Sequence, residues 1–350
     1  MPAPNFAHAP FIVIWEITRA CGLACAHCRA EALSKRDASE LSTAEGFALL
    51  DQVRAEFGTP LVVLTGGDPL ERPDLLDLIR YGRGLGLRMA LTPSATPRLT
   101  PDAIAALAGA GVCRLAISLD GADAASHDGF RRVPGTFARS LAALKTARAL
   151  GLETQINTTV WRGNRAQLRA IAEIAALHKV ALWSVFFLVP TGRAVPGQLL
   201  SPAEHERVFR QLADLSVDPA LGLTLKTTAG QPYYRVLAQR GLGRGGGLRS
   251  PMAVNDGNGF VFVSHTGDIS PSGFLPLVAG NVRHDPLAGI YRHHQLFTSL
   301  RDPDRFIGKC GRCAFNRVCG GSRSRAWALT GNPLASDPTC VYQPPAIAVA

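Results

Sequence analysis

Lysine is scarce in this chain, with five residues in 350 against 32 arginines. The basic side chains stand mostly singly, and no basic block is interleaved with aromatics. That pattern argues against a nucleic-acid binder, which concentrates its positive charge on one stripe or patch. The formal charge of +10 then reads as an arginine-rich surface, compatible with anionic cofactors or substrates. Long apolar runs are missing too. No stretch of about 18 residues escapes a charge or a Gly/Pro break, so no transmembrane span and no membrane partner are expected. The start, MPAPNFAHAPF, has no basic patch ahead of an apolar stretch. It does not read as a secretory signal, and a cytoplasmic location is expected. Charged residues are sparse, at 18%, and hydrophobic residues reach 47%. This excludes a disordered chain and leaves room for one sizeable core or two domains.

Cysteine is what the chain does have. Seven of its eight cysteines fall in two clusters: Cys21, Cys25 and Cys28, then Cys310, Cys313, Cys319 and Cys340. Tight clusters in a large chain without a signal peptide point to metal in a reducing compartment rather than to disulfides. Cys113 stands alone in an apolar run and reads as a small core residue.

The first two thirds alternate strand and helix patterns. Strand-like runs are Ile12–Thr18, Leu61–Thr65, Arg88–Thr92, Arg114–Leu119, Glu153–Val160 and Ala181–Val189. Helical stretches are Thr43–Phe57, Pro73–Gly84, Pro101–Ala110, Thr136–Leu150, Asn164–Leu177 and Ser201–Leu215. The strands are near-continuous apolar runs, as expected of a parallel sheet covered on both faces. Six strand–helix units predict an α/β fold built as an open, partial (β/α)6 barrel, with a doubly wound sheet as the alternative. The loops after these strands carry the polar and glycine-rich residues, so chemistry is expected at the carboxyl ends of the strands. After about residue 215 the pattern changes. A glycine-rich segment, Gly241–Ser250, precedes two short strands around a turn at His265–Asp268, then a helix over PLAGIYRHHQLFTSLRD. The expected division is a barrel over residues 1–215 and a small α+β domain over 216–350.

The spacing C-x3-C-x2-C supplies three thiolates where a structural zinc site wants four ligands. His27 is awkwardly placed to be the fourth, lying between two ligating positions. A cubane iron–sulfur cluster accepts three thiolates from one loop and leaves its fourth iron open to a chelating small molecule. The loop TGGDP, Thr65–Pro69, follows the second strand.

These two motifs together resemble the radical S-adenosylmethionine (SAM) superfamily. The resemblance implies that Cys21, Cys25 and Cys28 hold a [4Fe–4S] cluster and that SAM binds its open iron. It further implies SAM contacts from His27, from Gly66, Gly67, Asp68 and Pro69, from Ser118 and Asp120, from Asn157 or Thr159, and from Val189 and Thr191 within LVPTGR. Reductive cleavage of SAM would give a 5′-deoxyadenosyl radical that abstracts hydrogen from a substrate. A three-cysteine zinc knuckle is the competing reading of the first cluster taken alone, and a zinc ribbon that of the second.

The second cluster, in CGRCAFNRVCGGSRSRAWALTGNP and beyond, is similar to the SPASM or Twitch extension of radical SAM enzymes. By that resemblance Cys310, Cys313, Cys319 and Cys340 hold an auxiliary [4Fe–4S] cluster. Ser322, Ser264 and Ser272 stand where the two-cluster pattern has cysteines. One auxiliary cluster, fully ligated by protein, is therefore expected.

The single auxiliary site looks like that of the radical SAM enzymes of haem side-chain chemistry. An anionic tetrapyrrole is the preferred substrate, with flavodoxin or ferredoxin as electron donor. Arg131, Arg132, Arg193 and Arg283 are candidate anion contacts, and His265, His293 and His294 candidate polar contacts or iron ligands. Tyr233 and Tyr234 receive no role. The alternatives are maturation of a ribosomally made peptide, for which a fused recognition domain is not expected because the barrel starts within about a dozen residues of Met1 though a separate one could exist, and a zinc-stabilised binding protein without catalysis.

Overall fold

Six parallel strands follow from the apolar runs, β1 (Ile12–Thr18), β2 (Leu61–Gly66), β3 (Arg88–Leu91), β4 (Arg114–Ser118), β5 (Glu153–Val160) and β6 (Leu182–Phe187), and a seventh that the sequence did not suggest, β7 (Leu225–Thr228), joins them. Three more follow in the C-terminal part: β8 (Phe260–Val263), β9 (Asp268–Ser270) and β10 (Gly280–Asn281). The structure is a computed structural model describing residues 5–242 and 254–345. The initial residues 1–4, most of the glycine-rich segment Gly241–Ser250 and residues 346–350 lie outside the described residues.

All ten strands form one sheet in the order β10-β9-β8-β1-β2-β3-β4-β5-β6-β7. Pairing is parallel from β8 across to β7, while β9 and β10 add antiparallel. The molecule is thus an α/β partial barrel followed by a C-terminal extension. The C-terminal part also supplies the strands next to β1 and β6: β8 runs beside β1, pairing Ile12 with Phe260 and Trp15 with Val263.

Helices cover the outer face: α1 (Thr43–Phe57), α2 (Leu75–Gly84), α3 (Pro101–Ala110), α4 (Ala124–Arg131), α5 (Thr136–Ala149), α6 (Leu168–Leu177), α7 (Pro202–Ser216) and α8 (Pro232–Gln239). After β10 come α9 (Leu287–His293), α10 (Gln295–Arg301), α11 (Gly308–Gly311) and α12 (Arg323–Thr330). Local chemistry starts them where the sequence says. Ser42 and Glu45 form a reciprocal capping box on α1, and the Thr100 hydroxyl accepts from the Ala103 amide with Pro101 at the first turn of α3. The predicted single helix over PLAGIYRHHQLFTSLRD is broken at His294, which is extended (φ −63°, ψ 134°) and caps α10 with its ring.

Outward-facing strand residues such as Val13 and Trp15 join Leu49, Leu78 and Ile79 in one continuous core. At roughly 25 cal/mol per Å2 of apolar surface, this burial is the main favourable term in folding. Cys113 is half-buried and heads β4 rather than sitting in the core. Among the described residues no helix is long and apolar enough to cross a membrane.

Candidate active site

Inward-facing strand residues surround a cavity of about 270 Å3. It extends from the amino ends of the strands, at Ile12, Leu61 and Arg114, to the loops beyond their carboxyl ends. Cys21, Cys25 and Cys28 all front it at the latter end. The loop bearing them is tied down at both ends: the Cys21 amide donates to Leu33 O at 2.9 Å, and the Leu33 amide to Arg19 O at 2.8 Å. Among the described residues, no three metal-ligating side chains are grouped as a single ion requires.

Each of the three sulfurs has a donor facing it. The Leu23 amide donates to Cys21 Sγ (3.3 Å), the Ala32 amide to Cys28 Sγ (3.4 Å), and Arg131 Nη1 to Cys25 Sγ (3.7 Å). Donors aimed at sulfur fit thiolates that carry negative charge onto an iron–sulfur core. Without such a core, burial pushes the Cys21 thiol up to about 11.

The glycines of TGGDP answer first to packing. The Gly67 amide donates to Thr18 O at 2.8 Å and the Asp68 amide to Ala20 O at 2.6 Å, zipping this turn to the residues that lead into Cys21. A Cβ on Gly66 or Gly67 would collide with backbone, the Thr18 and Ala20 carbonyls respectively. Gly192, in the loop after β6 and left-handed at φ +63°, lies equally close to the carbonyls of Cys28 and Arg29. Asp68 is fully buried and bridges loops: Oδ1 accepts from the Leu70 and Ser94 amides and Oδ2 from the Thr96 hydroxyl. Burial raises its pKa despite these bonds.

From the opposite side, α4 delivers Phe130 and Arg131. His27 stacks on Phe130 (4.1 Å between ring centres, 1° between planes), and Phe130 stacks on Trp161 (4.6 Å, 5°). Burial and the neighbouring Arg131 charge push the His27 pKa down to about 3, so its ring is neutral. Its Nδ1 is buried without a hydrogen-bond partner among the described residues. Arg131 is ion-paired with the fully buried Asp120. Asp120 Oδ1 also accepts from the Thr159 amide (2.7 Å), and its backbone N–H donates to His127 Nδ1 (3.0 Å). Burial alone would raise the Asp120 pKa, but the Arg131 charge, the nearby His27 and His127 and the Thr159 amide together outweigh it and lower the pKa. A guanidinium charge is thereby fixed beside Cys25.

The four later cysteines come together. Cys310, Cys313, Cys319 and Cys340 line one small cavity with Arg235 and Lys309. The Gly321 amide donates to Cys319 Sγ (3.4 Å) and Arg323 Nη2 to Cys310 Sγ (3.6 Å). A closed set of four thiols with such donors fits a fully ligated cluster. Serines at the places where a second set would need cysteines are hydrogen-bonded instead. The Ser322 hydroxyl caps α12, accepting from the Arg325 amide, and its backbone N–H donates to Asp337 Oδ2 (3.0 Å). Ser272 donates to Asp256, and Ser264 Oγ accepts from the Asp268 amide (2.9 Å).

Of the residues expected around SAM, His27, Gly66, Gly67, Ser118, Asn157, Thr159 and Val189 line the cavity. Asp68, Pro69, Asp120 and Thr191 do not, and the first and third are taken up by internal hydrogen bonds and an ion pair. Arg131 lines the cavity, and Arg193, whose amide donates to Cys28 O (3.0 Å), has its Nε and Nη2 buried and unpartnered among the described residues. Arg132 and His293 are exposed, Arg283 pairs with Glu45 (2.6 Å), and His294 caps α10. His265 is bonded to the buried Glu16 through Nδ1 (3.2 Å), and Glu16 also pairs with Arg29 (2.8 Å). Tyr233 and Tyr234 belong to the core. Sequence reasoning missed Phe130, Trp161, Arg29 and Lys226. Only the aromatics had a local signal, and nothing in the sequence marks which remote elements meet.

The family model described as the radical SAM superfamily matches residues 15–175. An AdoMet-dependent heme synthase of Methanosarcina barkeri is 39% identical over 345 residues, covering 96% of this chain and 98% of the relative. A mycofactocin maturase of Mycobacterium tuberculosis is 30% identical, covering 97% of this chain and 85% of that protein. The crystal structure of Streptococcus suis SuiB bound to S-adenosylmethionine shares the fold, with a TM-score of 0.74 at 16% identity, covering 96% of this chain and 78% of SuiB.

Proposed function

The chain belongs to the radical SAM superfamily and is a radical SAM enzyme, and from that premise we propose that it modifies the side chains of a tetrapyrrole. Cys21, Cys25 and Cys28 would hold the [4Fe–4S] cluster that SAM joins, and Cys310, Cys313, Cys319 and Cys340 an auxiliary one. The division near residue 215, the SAM contacts, the flavodoxin or ferredoxin donor and the cytoplasmic location belong to the same reading. When bound, the first cluster supplies the electron that splits SAM into methionine and a 5′-deoxyadenosyl radical.

The chain's own residues do the rest. Gly66 and Gly67 hold the cysteine loop against β2 and present backbone to the cavity. Arg131, locked by Asp120, keeps a positive charge beside Cys25. The stack of His27, Phe130 and Trp161 covers the loop with neutral, apolar surface that keeps water from the reacting region. Ser118, Asn157 and Thr159 offer hydrogen-bonding groups along the β4–β5 wall.

The observation that carries this reading is the convergence of three donor-facing thiols and the glycine turn on one barrel cavity. The end-to-end likeness to an AdoMet-dependent heme synthase favours the tetrapyrrole as substrate. The likeness to a mycofactocin maturase keeps peptide maturation as the second reading. The test is to incubate the anaerobically reconstituted protein with SAM, dithionite and iron coproporphyrin III, and to follow porphyrin mass. A changed side-chain mass that depends on SAM is expected. An unaltered porphyrin alongside deoxyadenosine formation would move the substrate to the peptide class.

A further inference from the structure

Four cationic side chains line the cavity, and three of them have an acid partner. Arg29 pairs with Glu16 (2.8 Å), Arg114 with Glu153 (2.6 Å) and Arg131 with Asp120. The fourth, Lys226, has no hydrogen-bond or ion-pair partner among the described residues. It sits on β7, the end strand of the sheet, in a chain that uses arginine almost everywhere else.

Register fixes which way it faces. Ser118 pairs with Asn157, Asn157 with Ser184, and Ser184 with Lys226. Residues paired across parallel strands share a face of the sheet. These four therefore form one inward row across β4 to β7. Ser184 is fully buried and its hydroxyl has no hydrogen-bond partner among the described residues. Beside this row, Gln155 and Arg114 continue the polar wall toward the amino ends of the strands. The facing wall is apolar: Ile12 and Ile14 from β1, Leu61 and Val63 from β2, Phe260 and Phe262 from β8. The cavity therefore has a cationic side and a greasy side, joined along its length.

Burial and the Arg114 charge lower the Lys226 pKa to about 8, so its ammonium remains largely protonated at neutral pH. Lys226 is partly buried, and an ammonium withdrawn from water without a counter-ion is costly unless an anion joins it. A cationic side joined to a greasy side fits a carboxylate carried on an aliphatic arm.

We propose that Lys226 receives the carboxylate of a substrate side chain, with Ser184 and Gln155 beside it and the arm's methylenes against the β1, β2 and β8 wall. The inference rests on the tetrapyrrole reading and makes it specific: a carboxylate-bearing arm descends into the barrel. Lys226 is then a specificity residue that distinguishes a free acid from its ester.

The test is a visible-band titration of the reconstituted, SAM-loaded protein with coproporphyrin III and with its tetramethyl ester. Wild type, Lys226→Met and Lys226→Arg are compared. Loss of one charge-assisted contact predicts that Lys226→Met binds the acid about tenfold or more weaker, with ester affinity unmoved. Lys226→Arg, which keeps the charge but cannot act as a base, should retain most of the acid's affinity. A purely structural lysine would weaken acid and ester alike, and that result overturns the inference. Equal acid binding by wild type and Lys226→Met also overturns it while leaving the tetrapyrrole reading intact. A wild-type protein that binds neither porphyrin overturns that reading and the inference with it.

Discussion

A single methyl group added at Gly67 would collide with the Ala20 carbonyl, one residue ahead of the first cluster cysteine. The obstacle is backbone, so it cannot rotate away, and overpacking of this kind costs about 1–3 kcal/mol. Gly67→Ala is expected to lower thermal stability and to reduce iron bound at the first site, read by iron analysis after reconstitution. Cys25→Ala should remove the first cluster and leave the second, taking bound iron from about eight to about four per chain. These positions were legible in the sequence because their signals are short-range: three cysteines within eight residues and two adjacent glycines. The role of the glycines was only half legible. The sequence suggests close approach to a ligand, whereas the structure also demands close approach to the cysteine loop itself. Arg131 was named as an anion contact, but its lock on Asp120 and its approach to Cys25 depend on α4 meeting two remote loops. Lys226 has no motif around it at all.

Among the elements, all six expected strands form, and α1 and α3 match their predicted bounds. Apolar runs flanked by caps leave little freedom there. α4 was missed because AASHDGFR is polar and contains a glycine, which hides the periodicity its buried His127 and Phe130 need. β7 was missed because its four residues, LKTT, alternate a buried face with one turned to the cavity, where Lys226 lies. The β8–β9 hairpin was legible, but not that β8 would pair in parallel with β1, since register between distant segments leaves no local trace. The C-terminal helix α12 is anchored by Arg325, which pairs with Asp337 (2.7 Å) with both side chains fully buried, and donates to Ala229 O (2.7 Å). Removing one partner of such a pair strands the other charge. Asp337→Ala is expected to cost about 3–5 kcal/mol in denaturant unfolding. A loss below 1 kcal/mol would show that water reaches Arg325 in the folded protein.

On the scale of the molecule, two thiol sites are carried by one chain whose C-terminal part borders the barrel on both sides: β7 follows β6, and β8 joins β1. Arg235, on α8, lines the four-cysteine cavity and pairs with Glu206 on α7, so the second site is braced against barrel helices. The two sites have separable tasks on this account. Cys319→Ala should still form deoxyadenosine, but with porphyrin conversion reduced at least tenfold, measured in parallel on the same preparation. Loss of both activities at full first-site iron would mean that the second site serves the first step as well. The central claim is that the cavity behind Cys21, Cys25 and Cys28 opens SAM by one-electron reduction. Its most direct test is chromatographic detection of 5′-deoxyadenosine from anaerobically reconstituted protein given SAM and dithionite. The account predicts deoxyadenosine from the wild type and none from Cys25→Ala. Wild-type protein with both clusters loaded that leaves SAM intact would contradict it.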